Sequence, residues 1–271
     1  MSRRVRLDAE LVRRSLARSR EHASTLIADG HVLVDGQRAS KAATQVRTDQ
    51  AIVVKDGDDP GWASRGAHKL LGALEVFEPQ GLAVQGRICL DAGASTGGFT
   101  DVLLRRGAGR VHAVDVGYGQ LVWSLRTDDR VVVHDRTNVR TLGPDDIDDQ
   151  VDLVVSDLSF ISLTVVMPAL TGICTQEGDI VLMIKPQFEV GREHLGKNGV
   201  VRDAQQHERA VLAVCESAHG HGWGTRGLAA SPLPGPAGNV EYFCWLRTDA
   251  APVTAEAVTD VVADGPVGAA R

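Results

Sequence analysis

Five ionisable residues stand directly after, or close behind, short apolar runs. Asp91 follows Ile88-Cys-Leu90, Asp115 follows Val111-His-Ala-Val114, and Asp135 follows Val131-Val-Val-His134. Asp157 closes the run from Val151, and Lys185 closes Ile180–Ile184. A short apolar run bounded by a turn reads as a buried strand, so each charge stands where a strand leaves the core. Carboxylates and a lysine at neighbouring strand ends could orient a hydroxyl-bearing ligand and move a proton. The first acid opens Asp91-Ala-Gly93-Ala94-Ser95-Thr96-Gly97-Gly98, a small-residue turn before a helix from Phe99 to Arg106. Such a turn lets a ligand approach bare backbone, and the helix start supplies free N–H groups and a partial positive charge.

These residues need a scaffold, and the rest of the chain supplies one. Strands are expected at 87–90, 110–114, 131–134, 151–155, 179–184, 227–230 and 241–246. Helices are expected at 99–106, 120–126, 163–170 and 204–219, with another from Ala67. This alternation requires a three-layer, mostly parallel sheet. Ligands of such sheets lie outside the carboxyl ends of the strands, where the five charges fall. We expect an α/β fold with a Rossmann-like sheet over residues 67–250. A linker spans 60–66, and a flexible tail with at most one weak helix spans 251–271. Residues 1–59 form a separate small α+β domain.

The loop discriminates among nucleotide-like ligands. Its glycines match dinucleotide spacing poorly, and an acid at the strand end repels a pyrophosphate. No Gly-Lys-Ser/Thr follows, which excludes a P-loop. An acid there favours a cationic ligand, and S-adenosylmethionine carries a sulfonium and an ammonium. The loop resembles motif I of class I methyltransferases, with Ser95 in place of the middle glycine. Asp115 with Val116 falls where that class holds the cofactor ribose, although NAD enzymes use the same position. Asp135-Arg136-Thr137-Asn138 falls where an adenine edge is read, and is equally compatible with a solvated loop. The candidate cofactor contacts are therefore Asp91, Gly93, Ala94, Ser95, Thr96, Gly97, Gly98, Asp115, Val116, Asp135, Arg136, Thr137, Asn138 and Asp157.

The first 48 residues hold ten basic and five acidic side chains, a balance of +5 in a chain of −6, which leaves −11 elsewhere. A basic head on an acidic body suggests a polyanion-binding module. Residues 5–28 read as two helices parting near Arg18, with Ser19 as a fresh N-cap and Gly30 as the stop. His31–Arg38 then reads as a hairpin turning at Asp35-Gly36, and 50–54 as another strand. Arg6-Leu7-Asp8, Leu11-Val12, Arg14, Ser19-Arg20, Ala23, Ile27 and Gly30-x-Val32-x-Val34-x-Gly36 resemble the S4 RNA-binding domain. Arg4, Arg6, Arg14, Arg18 and Arg20, with Arg65 in the linker, are the candidate phosphate contacts.

The acceptor is read from the later strand ends. After Asp157 comes Leu-Ser-Phe160, with no proline pair of the kind amino-group methyltransferases carry, and no Pro-Cys loop suits attack on a pyrimidine ring. Lys185 ends an apolar strand, where a lysine is unexpected unless paired. Lys69, Asp157, Lys185 and Glu241 resemble the Lys-Asp-Lys-Glu tetrad of ribose 2′-O-methyltransferases. A lysine stripped of solvent beside a second cation could take a hydroxyl proton. The S4 head, Ser64-Arg-Gly-Ala-His-Lys69-Leu70, Asp91–Thr100, Asp115-Val-Gly-Tyr-Gly-Gln120, Asp157-Leu-Ser-Phe-Ile161, Lys185-Pro-Gln-Phe-Glu189 and Gly235-x-x-Gly-Asn-Val-Glu241-Tyr-Phe243 resemble the TlyA (hemolysin A) family. That resemblance implies 2′-O-methylation of cytidine in 16S and 23S ribosomal RNA, on ribosomal subunits. The chain departs at the linker, where Pro60-Gly61-Trp62-Ala63 replaces the Arg-Ala-Trp-Val of family members. This puts in doubt how RNA docking couples to cofactor binding.

Composition bounds the alternatives. No apolar run approaches the length of a membrane span, which weighs against a membrane-acting hemolysin. A non-catalytic RNA-binding assembly factor is disfavoured because Asp91, Asp157, Lys185 and Glu241 are intact. Four scattered cysteines suggest reduced thiols in a cytoplasmic protein, with no metal site. We expect a monomer.

Overall fold

The computed structural model describes residues 4–14, 16–17, 19–28, 30–54 and 61–265. The chain divides into two compact units, residues 1–61 and 62 onward.

In the smaller unit, strand β1 (Arg4–Arg6) leads into helix α1 (Leu7–Arg13), then helix α2 (Arg20–Ala28). Ser19 Oγ accepts the His22 N–H at 3.1 Å, a cap that starts α2 anew. Strands β2 (Val32–Val34) and β3 (Gln37–Arg38) form a hairpin, and both turn residues, Asp35 (φ 49°) and Gly36 (φ 80°), are left-handed. Strand β4 (Gln45–Arg47) pairs with β1, and β5 (Ile52–Val54) with β2. Leu7, Leu11, Ala23, Ile27, Val32, Val46 and Ile52 close a small core. The helical pattern begins at Leu7 rather than residue 5, because Val5 pairs with Val46 across two strands whose other residues are polar.

The larger unit holds helix α3 (Gly66–Phe77), β6 (Ile88–Ala92), α4 (Gly98–Arg105), β7 (Arg110–Asp115), α5 (Trp123–Arg126) and β8 (Val131–Asp135). It continues with β9 (Val151–Ser156), α6 (Leu163–Ile173), β10 (Cys174–Ile184), α7 (Pro186–Glu189) and α8 (Ala204–Gly220). It closes with β11 (Gly224–Ala230), β12 (Tyr242–Arg247) and α9 (Ala255–Asp264). The sheet order is β11-β12-β10-β9-β6-β7-β8. Strands β6 to β10 run parallel, and β12 is antiparallel to both its neighbours. The strand order reverses between β6 and β9, which opens the crevice where ligands of this architecture lie.

Period-two alternation divides the core between the two faces of the sheet. Leu90, Val154, Leu182 and Cys244 face α6, α8 and α9. Cys89, Leu153, Val155, Met183 and Phe243 face α3 and α4.

One expected boundary is corrected. Residues 62–66, read as linker, belong to the larger unit: Trp62 is buried beneath the Arg105 guanidinium (4.2 Å), and the Ala63 N–H donates to Asp101 Oδ2 at 2.8 Å. The one helix that the sequence allowed in the tail from 251 is α9. Val258, Val261 and Val262 recur at helical spacing and are buried, giving the helix an apolar face.

Candidate active site

The sheet brings the predicted strand-end residues to one edge. The Asp157 N–H donates to Ala92 O at 3.1 Å, so the β9 exit lies against the β6 exit. Cross-strand register places Ile184 opposite Tyr242, so Lys185 and Glu241 are the next residues outward on adjacent strands. Lys185 Nζ lies 2.5 Å from Asp157 Oδ1 and donates to Ser159 Oγ at 2.8 Å. Lys69, in the first turn of α3, lies 2.5 Å from Glu241 Oε2. Both lysines are buried, and each has a carboxylate partner, as buried charges require. The four residues form two ion pairs, Lys185–Asp157 and Lys69–Glu241. Gly66, at the start of α3, lies close to Asp157: a Cβ there would come within 3.7 Å of Asp157 Oδ2.

Asp91 is fully buried on β6 and faces α4, where Thr100 Oγ1 donates to its Oδ2 at 2.7 Å. Its Oδ1 has no partner. Burial, with the negative charges of Asp157 and Asp115 behind it, pushes this carboxyl up to about 7. Gly93 sits at φ 90°, and a Cβ there would lie 3.0 Å from Asp157 O, so the loop passes flush against the β9 exit. Ala94 is buried, and the Gly97 N–H donates to its carbonyl at 2.8 Å. Gly97 (φ 103°) caps α4, and Gly98 is its first residue. Thr96 O accepts the Val122 N–H at 3.2 Å. Asp115 braces the loops after β6 and β7: its Oδ2 accepts the Ser95 N–H at 2.9 Å and its Oδ1 the Gly117 N–H at 2.7 Å. Val116 beside it is exposed. An orphaned buried carboxylate oxygen, a flush glycine loop and a braced strand-end acid fit a ligand with an ammonium at one end and a ribose at the other.

The loop after β8 is more structural than its sequence suggested. Asp135 is ion-paired with Arg126 at 2.7 Å. Arg136, left-handed at φ 57°, lays its guanidinium over Tyr118 at 4.4 Å. The Thr137 N–H donates to Asp115 O at 2.9 Å, and Asn138 Oδ1 caps the next turn through Arg140 N–H at 3.0 Å.

Sequence reasoning passed over Phe160. It is 91 % exposed, left-handed at φ 65°, and its ring centroid lies 5.2 Å from that of Phe188. A bulky residue held in that backbone region is uncommon and marks a constrained loop. The signal was present as an aromatic three residues after the strand-end acid.

In the smaller unit, Asp8 is buried and gathers two of the candidate arginines. It accepts from Arg6 at 2.9 and 3.0 Å and from Arg20 at 2.9 Å, which holds the carboxyl well below the usual carboxylate range. Arg6 and Arg20 remain about half exposed. Arg14 is committed to structure: it bonds Glu10 at 2.7 Å and the carbonyls of Gln50 and Thr48 at 2.8 and 2.9 Å. Arg4 and Arg65 are exposed. Arg18 lies outside the described residues.

The fold and this site define a class I methyltransferase domain preceded by a small basic module. Residues 62–248 match the FtsJ-like methyltransferase family, and residues 5–52 match the S4 domain. The chain is 57 % identical, over 98 % of its own length and 100 % of the relative's, to the 16S/23S rRNA (cytidine-2′-O)-methyltransferase TlyA of Mycobacterium tuberculosis. A solved structure called a hemolysin, from Streptococcus thermophilus, has a TM-score of 0.77 at 38 % identity, covering 97 % of this chain and 96 % of that one. Another, from Lactococcus lactis, has a TM-score of 0.69 at 41 % identity, covering 74 % of this chain and 98 % of that one. The chain is a methyltransferase and belongs to the TlyA family.

Proposed function

We propose that this enzyme transfers a methyl group from S-adenosylmethionine to the ribose 2′-hydroxyl of cytidine in 16S and 23S ribosomal RNA, acting on ribosomal subunits. The observation that carries the acceptor is the pairing of the buried Lys185 with the half-buried Asp157 at the carboxyl ends of β10 and β9, beside the glycine loop. A ribose hydroxyl is a weak acid and a weak nucleophile, so it needs a base at its oxygen. Once the Lys185 ammonium has released a proton to solvent, the amine takes the hydroxyl proton, and Asp157 stabilises the ammonium that re-forms. Ser159 fixes the amine from a third direction. Lys69, neutralised by Glu241, supports the same end of the sheet without adding net charge.

The bound cofactor supplies a sulfonium-activated methyl group. The chain's contribution toward it is positioning. The Asp91 carboxyl receives the ammonium, Asp115 the ribose hydroxyls, and Val116 with the Asp135–Asn138 loop the adenine. Phe160 offers a ring on which the target base stacks. Arg4, Arg6, Arg20 and Arg65 contact phosphates, and Arg14 holds the S4 fold that presents the first three.

A membrane-acting role has less support. Among the described residues no helix is long and apolar enough to cross a membrane. We place the enzyme in the cytoplasm, as a monomer. The test is transfer of labelled methyl from S-adenosylmethionine to purified small and large subunits and to free RNA. Label on 2′-O-methylcytidine from both subunits is expected. Absence of label from all three substrates would refute the reading.

A further inference from the structure

Ser95 occupies φ 48°, a backbone region that favours glycine. Two contacts from the loop after β7 hold it there. Its N–H donates to Asp115 Oδ2, and its hydroxyl donates to Gln120 Oε1 at 3.3 Å. Gln120 folds back over its own loop: a Cβ at Gly117 would stand 1.8 Å from Gln120 Nε2 and 3.0 Å from Asp115 Oδ1. Only glycine at 117 leaves room for that amide. The Gln120 carboxamide therefore lies beside the Asp115 carboxylate, with its acceptor end engaged by Ser95. The surrounding loops are interlocked. The Val122 N–H reaches Thr96 O, and Leu121 and Leu125 fill the space above Gly97, where a Cβ would meet them at 2.8 and 2.3 Å.

A carboxylate acceptor beside an amide donor is the hydrogen-bonding complement of a vicinal diol. One hydroxyl donates to the carboxylate, and the other accepts from the amide. We propose that Gln120, latched by Ser95, is a cofactor-positioning residue that completes the ribose diol site begun by Asp115. This rests on the reading of S-adenosylmethionine as the methyl donor. It also accounts for the serine at the middle-glycine position: the hydroxyl aims the amide, and the interlocked loops hold it before the ligand arrives.

The test is calorimetry on the full chain with S-adenosylhomocysteine. Adenosine, 2′-deoxyadenosine and 3′-deoxyadenosine are then measured as competitors. Gln120→Ala should weaken S-adenosylhomocysteine about three- to tenfold, the loss of one hydrogen bond, with an unchanged Tm. The same factor should appear for adenosine and vanish for the one deoxynucleoside that lacks the partner hydroxyl. Ser95→Gly should weaken binding about two- to threefold without lowering Tm, because it relieves the backbone while releasing the latch. Unchanged affinity in Gln120→Ala overturns the assignment. So does an equal loss for all three nucleosides with a lowered Tm, which marks a merely structural latch. No binding of S-adenosylhomocysteine to the unaltered chain refutes the methyl-donor reading, and the assignment with it.

Discussion

Replacing Asp91 by Asn removes a buried acid while keeping its shape and its acceptor for Thr100. The ordinary carboxyl titrates near 3.8, and in the fold this one is pushed up to about 7. Between those values the folded chain keeps a proton that the unfolded chain has lost. The folded state then binds more protons, so this group's contribution to stability falls as pH rises from about 4 to about 7, and levels off above. At about 1.4 kcal/mol per pH unit, the gap caps the effect near ~4 kcal/mol. Relaxation around an ionised buried group lowers that figure, and we take about 2 kcal/mol. For a unit of this size that is about 4–8 °C in Tm. Asn carries no such dependence. Ligand-free wild type and Asp91→Asn should therefore melt together near pH 4, and the variant should melt about 4–8 °C higher at pH 8. Thermal melts at half-unit pH steps measure this. A difference between the two proteins that does not vary with pH refutes the claim that Asp91 is a costly buried acid awaiting a cationic partner.

Other predictions follow from the paired charges and the exposed ring. Asp8→Asn keeps every arginine but releases Arg6 and Arg20, so affinity for an rRNA fragment should fall and its salt slope shrink by about one to two, with cofactor affinity unmoved. Titrations at several salt concentrations decide this, and an unchanged slope counts against the role of that cluster. Phe160→Ala should weaken transition-state binding of RNA by about 1–3 kcal/mol, read as kcat/KM, while S-adenosylhomocysteine affinity stays constant. Lys69→Met leaves Glu241 buried without a cation and should cost about 3 kcal/mol in urea unfolding. Adding Glu241→Gln should return part of that, and a fully additive double variant would deny the pairing.

The strand-end charges were legible because apolar runs reveal parallel strands and the architecture fixes which end holds ligands. The hairpin at Asp35-Gly36 was legible from its turn chemistry. What stayed hidden depends on contacts between distant residues. The helix expected from Gln120 begins only at Trp123, because Gln120 turns back to Ser95 and Leu121 seats on Gly97. The β1–β4 pair escaped because single valines flanked by polar residues give no alternation to read. The Cys174 end of β10 escaped because its ladder to β9 is broken by an irregularity before Asp179. Arg14 looked like an RNA contact because its type and spacing suit one. Only its bonds to Thr48 and Gln50, far along the chain, show that it is committed to the fold.

We propose that Lys185, held by Asp157, deprotonates the ribose hydroxyl. The most direct measurement compares wild type with Lys185→Ala for labelled methyl transfer to ribosomal subunits. Nuclease digestion and mass spectrometry then locate the methyl group, and calorimetry checks S-adenosylhomocysteine affinity. Wild type should yield 2′-O-methylcytidine, and the variant should show a rate lowered about 100-fold or more with S-adenosylhomocysteine affinity within about twofold. A methyl group on a base, or transfer undiminished in Lys185→Ala, contradicts the proposal.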